Sequence, residues 1–167
     1  MQVRTTRDDH RIAWFTALAI TIHIAESALP SPLPGVKPGL ANVITIAVLV
    51  KFGWKIAAWV NLLRVVAGSL LIGTFLSPTF IMSLSGALAS TSCLILLAHL
   101  PGRGCSPLGY SIAAAMVHML TQFLVAYQVF IHHDGIFHLL PILMTAAFVF
   151  GTISGIIAAL MLSQIDI

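Results

Sequence analysis

An all-α integral membrane protein with six transmembrane helices is the fold class this sequence predicts, on three observations. Of its 167 residues 59% are hydrophobic and only 8% are charged, with a mean hydropathy of +1.03, so the bilayer rather than water is the solvent. The apolar runs are long, rich in Leu, Ile, Ala and Val, and free of strict alternation. That pattern favours helices over an outer-membrane barrel, since a helix satisfies its backbone polar groups within the segment. Between the runs stand clusters of proline, glycine and charge, the residues that stop helices.

A cytoplasmic N-terminal segment, 1–11, precedes the first helix, expected over 12–29. Arg4, Arg7 and Arg11 ahead of an apolar stretch ending near Ala28 have the outline of a signal peptide. Asp8 and Asp9 in the same segment, and the loss of Glu26 that cleavage would entail, argue for a retained helix. The segment from Glu26 to Asn42 then packs four prolines and two glycines around one acid and one base; within it, residues 30–38 read as an ordered outer loop or lid. The second helix, 39–52, is short against the roughly 20 apolar residues that cross a bilayer. Phe52-Gly53 separates it from the third, 54–74, and Ser77-Pro78 opens the fourth, 78–100. Pro101-Gly102-Arg103-Gly104 precedes the fifth, 107–131, and His132-His133-Asp134-Gly135 precedes the sixth, 138–164, with 165–167 a short cytoplasmic tail. Residues 12–164 thus form a single helical domain.

A cytoplasmic N-terminus puts Arg4, Arg7, Arg11, Lys51, Lys55 and Arg103 on the inner side and leaves Lys37 alone on the other, as the positive-inside rule requires. An even number of spans returns the C-terminus to the cytoplasm. The formal charge of +3 comes from basic residues too few and scattered to track phosphates, which excludes a nucleic-acid partner. Cys93 and Cys105 form no metal or redox spacing and read as structural thiols. There is no Walker loop, dinucleotide fingerprint, nucleophile elbow or repeated Asp-rich motif, and no internal repeat of the inverted-transporter kind. Neither a catalytic centre nor an energy source is evident.

Chemistry is expected where polar side chains interrupt apolar spans. Arg64 lies about ten residues into the third helix, ~15 Å deep and near the bilayer centre, where a charge must be paired, hydrated or used. An ion pair with Glu26 would serve packing, and an arginine so paired can still recruit an anionic ligand bidentately. Glu26 itself can pair with Arg64 or Lys37, contact a solute, or face headgroups. Asn42 and Asn61 bring amides that are costly against lipid and so belong inside the bundle. His118 and Gln122, four apart, share a face of the fifth helix with Ala114 and Ala126, forming either a cavity wall or an interhelical hydrogen-bonding seam. Ser83 and Ser85, near Gly86, either line the same space or bond back to their own helix. His132, His133 and His138 have metal-binding chemistry without a recognised spacing, and a short interfacial loop uses the same residues. Ala13-x-x-x-Ala17 and Gly151-x-x-x-Gly155 permit close helix approach, within the chain or against another membrane subunit.

The run Leu-Pro-x-Pro-x-Pro-Gly-x-Lys-x-Gly-Leu-Ala-Asn up to Asn42 resembles the Gx transporter family, historically labelled heptaprenyl diphosphate synthase component I. Leu63-Arg64, Gly68-Ser69-Leu70-Leu71 and Gly73, Ser83-Leu84-Ser85-Gly86, Gly109-Tyr110-Ser111, His118 and Gln122 follow in the family's order. The resemblance covers nearly the whole chain from the first helix onward; Met119 stands where members commonly place an Asn. The family is similar to the substrate-binding S-components of energy-coupling factor transporters, which implies a six-helix S-component-like bundle in the bacterial cytoplasmic membrane. It further implies a vitamin-sized solute under the first loop and docking through Ala13 and Ala17 to a transmembrane coupling subunit. No cofactor is then permanently bound, and ATP is used only by the partner's ATPases. On this reading Glu26, Lys37, Asn42, Asn61, Arg64, Ser83, Ser85, His118 and Gln122 bind the solute, with Arg64, Lys37 and His118 favouring one that bears carboxylate or phosphate. The historical label supports another reading, a membrane subunit of a polyprenyl diphosphate synthase, and some members suggest a flavin- or quinone-linked redox system.

Overall fold

A computed structural model describes residues 5–28, 39–99 and 105–165. The expected loop 30–38 with Lys37, the inner-loop Arg103, Arg4 and the final residues of the tail lie outside the described residues. Those described form six α-helices: α1 (Arg7–Ala28), α2 (Ala41–Phe52), α3 (Trp54–Ile72), α4 (Pro78–Ala98), α5 (Pro107–Val125) and α6 (Leu140–Ile165).

Their boundaries follow from local chemistry. α1 starts several residues before the expected position because Thr6 and Asp9 cap each other. The Thr6 N–H donates to Asp9 Oδ2 at 2.7 Å and the Asp9 N–H to Thr6 Oγ1 at 3.2 Å. The Thr6 backbone N–H holds the Asp9 carboxyl below its ordinary pKa, and the charge sits at the positive end of the helix dipole. Gly73, at φ +79°, ends α3 in a left-handed conformation that an L side chain resists. Ser77 and Ser106 cap α4 and α5, each followed by a proline at the first helical position. Ser77 also donates its hydroxyl to the Thr74 carbonyl at 2.6 Å, so it ties the α3–α4 turn as well as the cap. Ser77→Ala should therefore lower stability by about 1–2 kcal/mol, seen as an earlier thermal transition of the purified protein; an unshifted transition would deny the cap any weight.

α5 was expected to run to 131. It is α-helical to Val125 and continues as a π-helical stretch, Ala126–Ile131, closed by the His132 N–H on the Tyr127 carbonyl five residues back. A 3-10 turn, Asp134–Leu139, leads into α6. This corner is held by the Tyr127 hydroxyl donating to Asp134 Oδ1 at 2.9 Å and by Phe137 packed against Phe123 and Tyr127.

Among the described residues, four helices are long and apolar enough to cross a membrane: α3, α4, α5 with its π-helical continuation, and α6 with the turn before it. Arg11, His23 and Glu26 make α1 more polar, and α2 has only 12 residues. Large apolar side chains such as Trp14, Leu71, Leu76, Leu96 and Leu160 point outward, which suits lipid rather than water.

α2 is the centre of the bundle. It packs against α1, α3, α5 and α6 and is predominantly apolar, with Val43, Ile44, Ile46, Val48 and Leu49 buried. α4 follows α3 and α5 follows α4 as antiparallel neighbours, and α5 and α6 form the closest pair. That closeness has a specific source in the Gly151/Gly155 pair. A Cβ on Gly155 would lie 2.8 Å from Leu108 Cα, and one on Gly151 would lie 3.1 Å from Ile112 Cα. The small-residue face of α6 is thus spent on contact within the chain.

Candidate functional site

At ~1.5 Å per residue, α2 is only about 18 Å long, against a hydrocarbon core about 30 Å thick. Beyond its N-terminus the centre of the bundle is left for a cavity of about 190 Å³. The cavity lies at the end of the bundle that holds the C-terminal part of α1, the second halves of α3 and α5, and the first halves of α4 and α6.

Every helix contributes to its wall. α1 presents His23 and Glu26, three residues apart and hence on one face, and Asn42 stands in the first turn of α2. Arg64 and Val65 come from α3, and Thr79, Met82, Ser83 and Ser90 form a stripe at helical spacing along α4. His118, Met119 and Gln122 project from α5, while Ala147, Phe150 and Gly151 close the side of α6. His118 and Gln122 fit only because α4 is bare at Gly86: a Cβ there would lie 3.0 Å from the His118 ring and from Gln122 Cγ.

Arg64 is the cation of the site, 8% exposed in the middle of α3. Its Nη2 donates to Asn61 Oδ1 at 2.7 Å, and its Nε is buried without a hydrogen-bond partner among the described residues. Asn61 is itself fixed: its amide donates to Thr91 Oγ1 at 2.8 Å and to the Ala87 carbonyl at 3.4 Å. Asn61 thus anchors the guanidinium from behind and ties α3 to α4, and it does not line the cavity.

The ion pair between Arg64 and Glu26 is not formed within 4.0 Å among the described residues. Glu26 is 5% exposed and is committed elsewhere. Its Oε1 accepts from the Leu40 N–H, so the carboxylate lies against the positive end of α2. The headgroup-facing reading of Glu26 gives way to this buried cap. Its field still reaches Arg64, without direct contact.

The structure therefore brings together Glu26, Asn42, Arg64, Ser83, His118 and Gln122 around one space and sets Asn61 behind it. Ser85 lies outside the lining and donates to the Met82 carbonyl at 2.8 Å, the local back-bond. Lys37 lies outside the described residues. His133 accepts the Gly135 N–H on Nδ1, and His138 Nδ1 bonds the Gly135 carbonyl. No group of three His, Cys, Asp or Glu side chains that could hold a metal gathers among the described residues. Ala13 and Ala17 are exposed on α1, whose packing is against α2 and α3. Sequence reasoning did not pick out His23, Thr79, Met82, Ser90 or the α6 wall as site residues. The α4 stripe was detectable from its spacing of four, three and four residues through Gly86; the α6 wall, being apolar, carries no such signal.

A helical membrane protein with a largely apolar cavity, into which a few polar side chains project, is the class that fold and site define. The chain belongs to the family described as heptaprenyl diphosphate synthase component I, whose family model matches residues 15–161. Comparisons with curated proteins and with solved structures return no match.

Proposed function

We propose that this protein is the solute-binding membrane subunit of an uptake system for a small, cofactor-like solute. The system is of the energy-coupling factor type, in which a separate transmembrane subunit and its ATPases supply the work. The observation that carries the reading is the cavity itself: a pocket that all six helices line, with polar side chains from α1 to α5 and walls of Val65, Met82, Met119 and Phe150. Small-molecule sites combine such apolar walls with a few placed polar groups, whereas polar groups facing nothing would be costly inside a membrane bundle.

In this proposal all six helices cross the bacterial cytoplasmic membrane, α1 and α2 with the help of their neighbours. Arg7, Arg11, Lys51 and Lys55 belong to the end of the bundle opposite the cavity; Arg11 stacks 4.9 Å over the Phe52 ring there. That basic end is cytoplasmic by the positive-inside rule, so both termini are cytoplasmic and the cavity faces out. The exposed Ala13–Ala17 face of α1 is where the coupling subunit docks.

The family description favours a second reading, a membrane subunit of a polyprenyl diphosphate synthase. A cavity of about 190 Å³ is modest for that task, since an engineered cavity of about 150 Å³ holds only a benzene ring. One experiment separates the two. The protein is purified from its own membrane, the small molecules it releases on denaturation are identified, and uptake of the released compound is measured with and without the gene. Uptake that collapses on deletion and returns with the wild-type gene is the expected result. Unchanged uptake with shortened prenyl tails on the cell's quinones would overturn it in favour of the synthase.

A further inference from the structure

We propose that the solute is a compact monocarboxylate, about the size of one substituted ring, whose carboxylate docks on Arg64. This rests on reading the cavity as a solute site and names the class of molecule it takes.

The first argument is an unmet donor. Arg64 is buried beside the cavity, has an Nε without a partner among the described residues, and is met by a neutral amide oxygen rather than by a carboxylate. A buried guanidinium with an unsatisfied donor is costly, and more so at membrane depth. Glu26, bonded to the start of α2, offsets the charge from a distance but occupies none of the guanidinium donors. Those donors are left for an anion that arrives with the solute. A planar carboxylate matches the fork of N–H groups that a guanidinium presents.

The second argument limits the charge. Among the described residues lining the cavity, Arg64 is the one lysine or arginine and Glu26 the one acid. A monoanion pairs with Arg64 and sets only one added charge opposite Glu26. A phosphate ester, carrying nearly two negative charges at neutral pH, would leave its excess facing the Glu26 carboxylate. The diphosphate of a prenyl substrate would fare worse.

The third argument is size and lining. About 190 Å³ is somewhat more than the volume that accepts benzene in an engineered protein, which leaves room for a ring and a carboxylate. Met82, Met119, Phe150 and Ala115 offer the apolar surface for the ring, while Ser83 and Gln122 stand ready for a polar substituent.

The test uses the full chain in lipid nanodiscs and three probes of one shape: benzoate, benzamide and phenyl phosphate, with binding read by calorimetry. Benzoate is expected to bind at least tenfold more tightly than either of the others, and the benzoate-to-benzamide preference should vanish in Arg64→Gln. The wild-type comparison stands alone if that variant does not fold. Benzamide binding as well as benzoate, or phenyl phosphate binding better, overturns the proposal. So does a protein that ignores benzoate yet releases a small solute on denaturation, which leaves the uptake reading intact. A protein that ignores benzoate and releases no solute, from a gene whose deletion alters no uptake, overturns both.

Discussion

Replacing Arg64 with methionine should abolish solute binding and at the same time raise the thermal midpoint of the protein. The two effects share one cause. Arg64 is buried with its Nε unsatisfied and no carboxylate within 4.0 Å among the described residues, so its charge is a standing cost to the empty fold. A central arginine costs about 3 kcal/mol even on the mildest membrane insertion scale. Removing it frees that energy, less about 1 kcal/mol for the Asn61 carbonyl that loses its donor and a smaller part for the buried Glu26 carboxylate that loses a nearby cation. At roughly 2–4 °C per kcal/mol for a chain of this size, the midpoint should move up by a few degrees. Binding moves the other way: truncating one member of a buried charge pair costs about 2–5 kcal/mol, a loss of at least ~30-fold in affinity. Stability and affinity are both measured on the same nanodisc preparation. A falling midpoint with affinity retained would show that Arg64 holds the bundle through Asn61 and has no part in binding.

Gly155→Leu should have the largest effect on the fold. A Cβ at this position already meets the backbone of α5, 2.8 Å from Leu108 Cα, and backbone cannot turn aside as a flexible side chain can. Overpacking by even a methylene or two costs about 1–3 kcal/mol, and a leucine would force α6 bodily away from α5. The expected outcome is loss of monodisperse protein, or a midpoint lowered by about 5 °C or more. Gly109→Ala is the control: its Cβ would meet nothing nearer than 3.6 Å, and alanine is the better helix former. If Gly155→Leu unfolds no more readily than Gly109→Ala, the α5–α6 contact is not the close one described.

Much of the helix pattern was legible because proline, glycine and charge interrupt an otherwise apolar chain. α2 to α5 begin within two residues of where that punctuation places them. The start of α1 was missed because a reciprocal Thr6–Asp9 cap depends on two polar side chains that an apolar-run reading discards. The π-helical end of α5 has no signature in periodicity. Six of the polar residues around the cavity were conspicuous because a polar group in a membrane helix needs a reason. Asn61 and Ser85 were conspicuous for the same reason, and sequence cannot separate a cavity contact from an interhelical or local hydrogen bond. The Arg64–Glu26 ion pair considered from sequence does not form, because the competitor for Glu26 is a backbone N–H at the head of another helix. Only the three-dimensional path of the chain brings that group to the carboxylate.

The brevity of α2 also makes it a gauge. Its buried residues fix the lower part of the bundle, while the residue at which it begins, Ala41, fixes how much of the upper part stays open. Asn42 in its first turn already borders the cavity, so one added turn, ~5.4 Å of helix, would shrink the space and one turn fewer would enlarge it, without altering a side chain on α3, α4 or α5. In this architecture the length of a single central helix is a dial for the size of the molecule admitted, separate from the residues that read its charge.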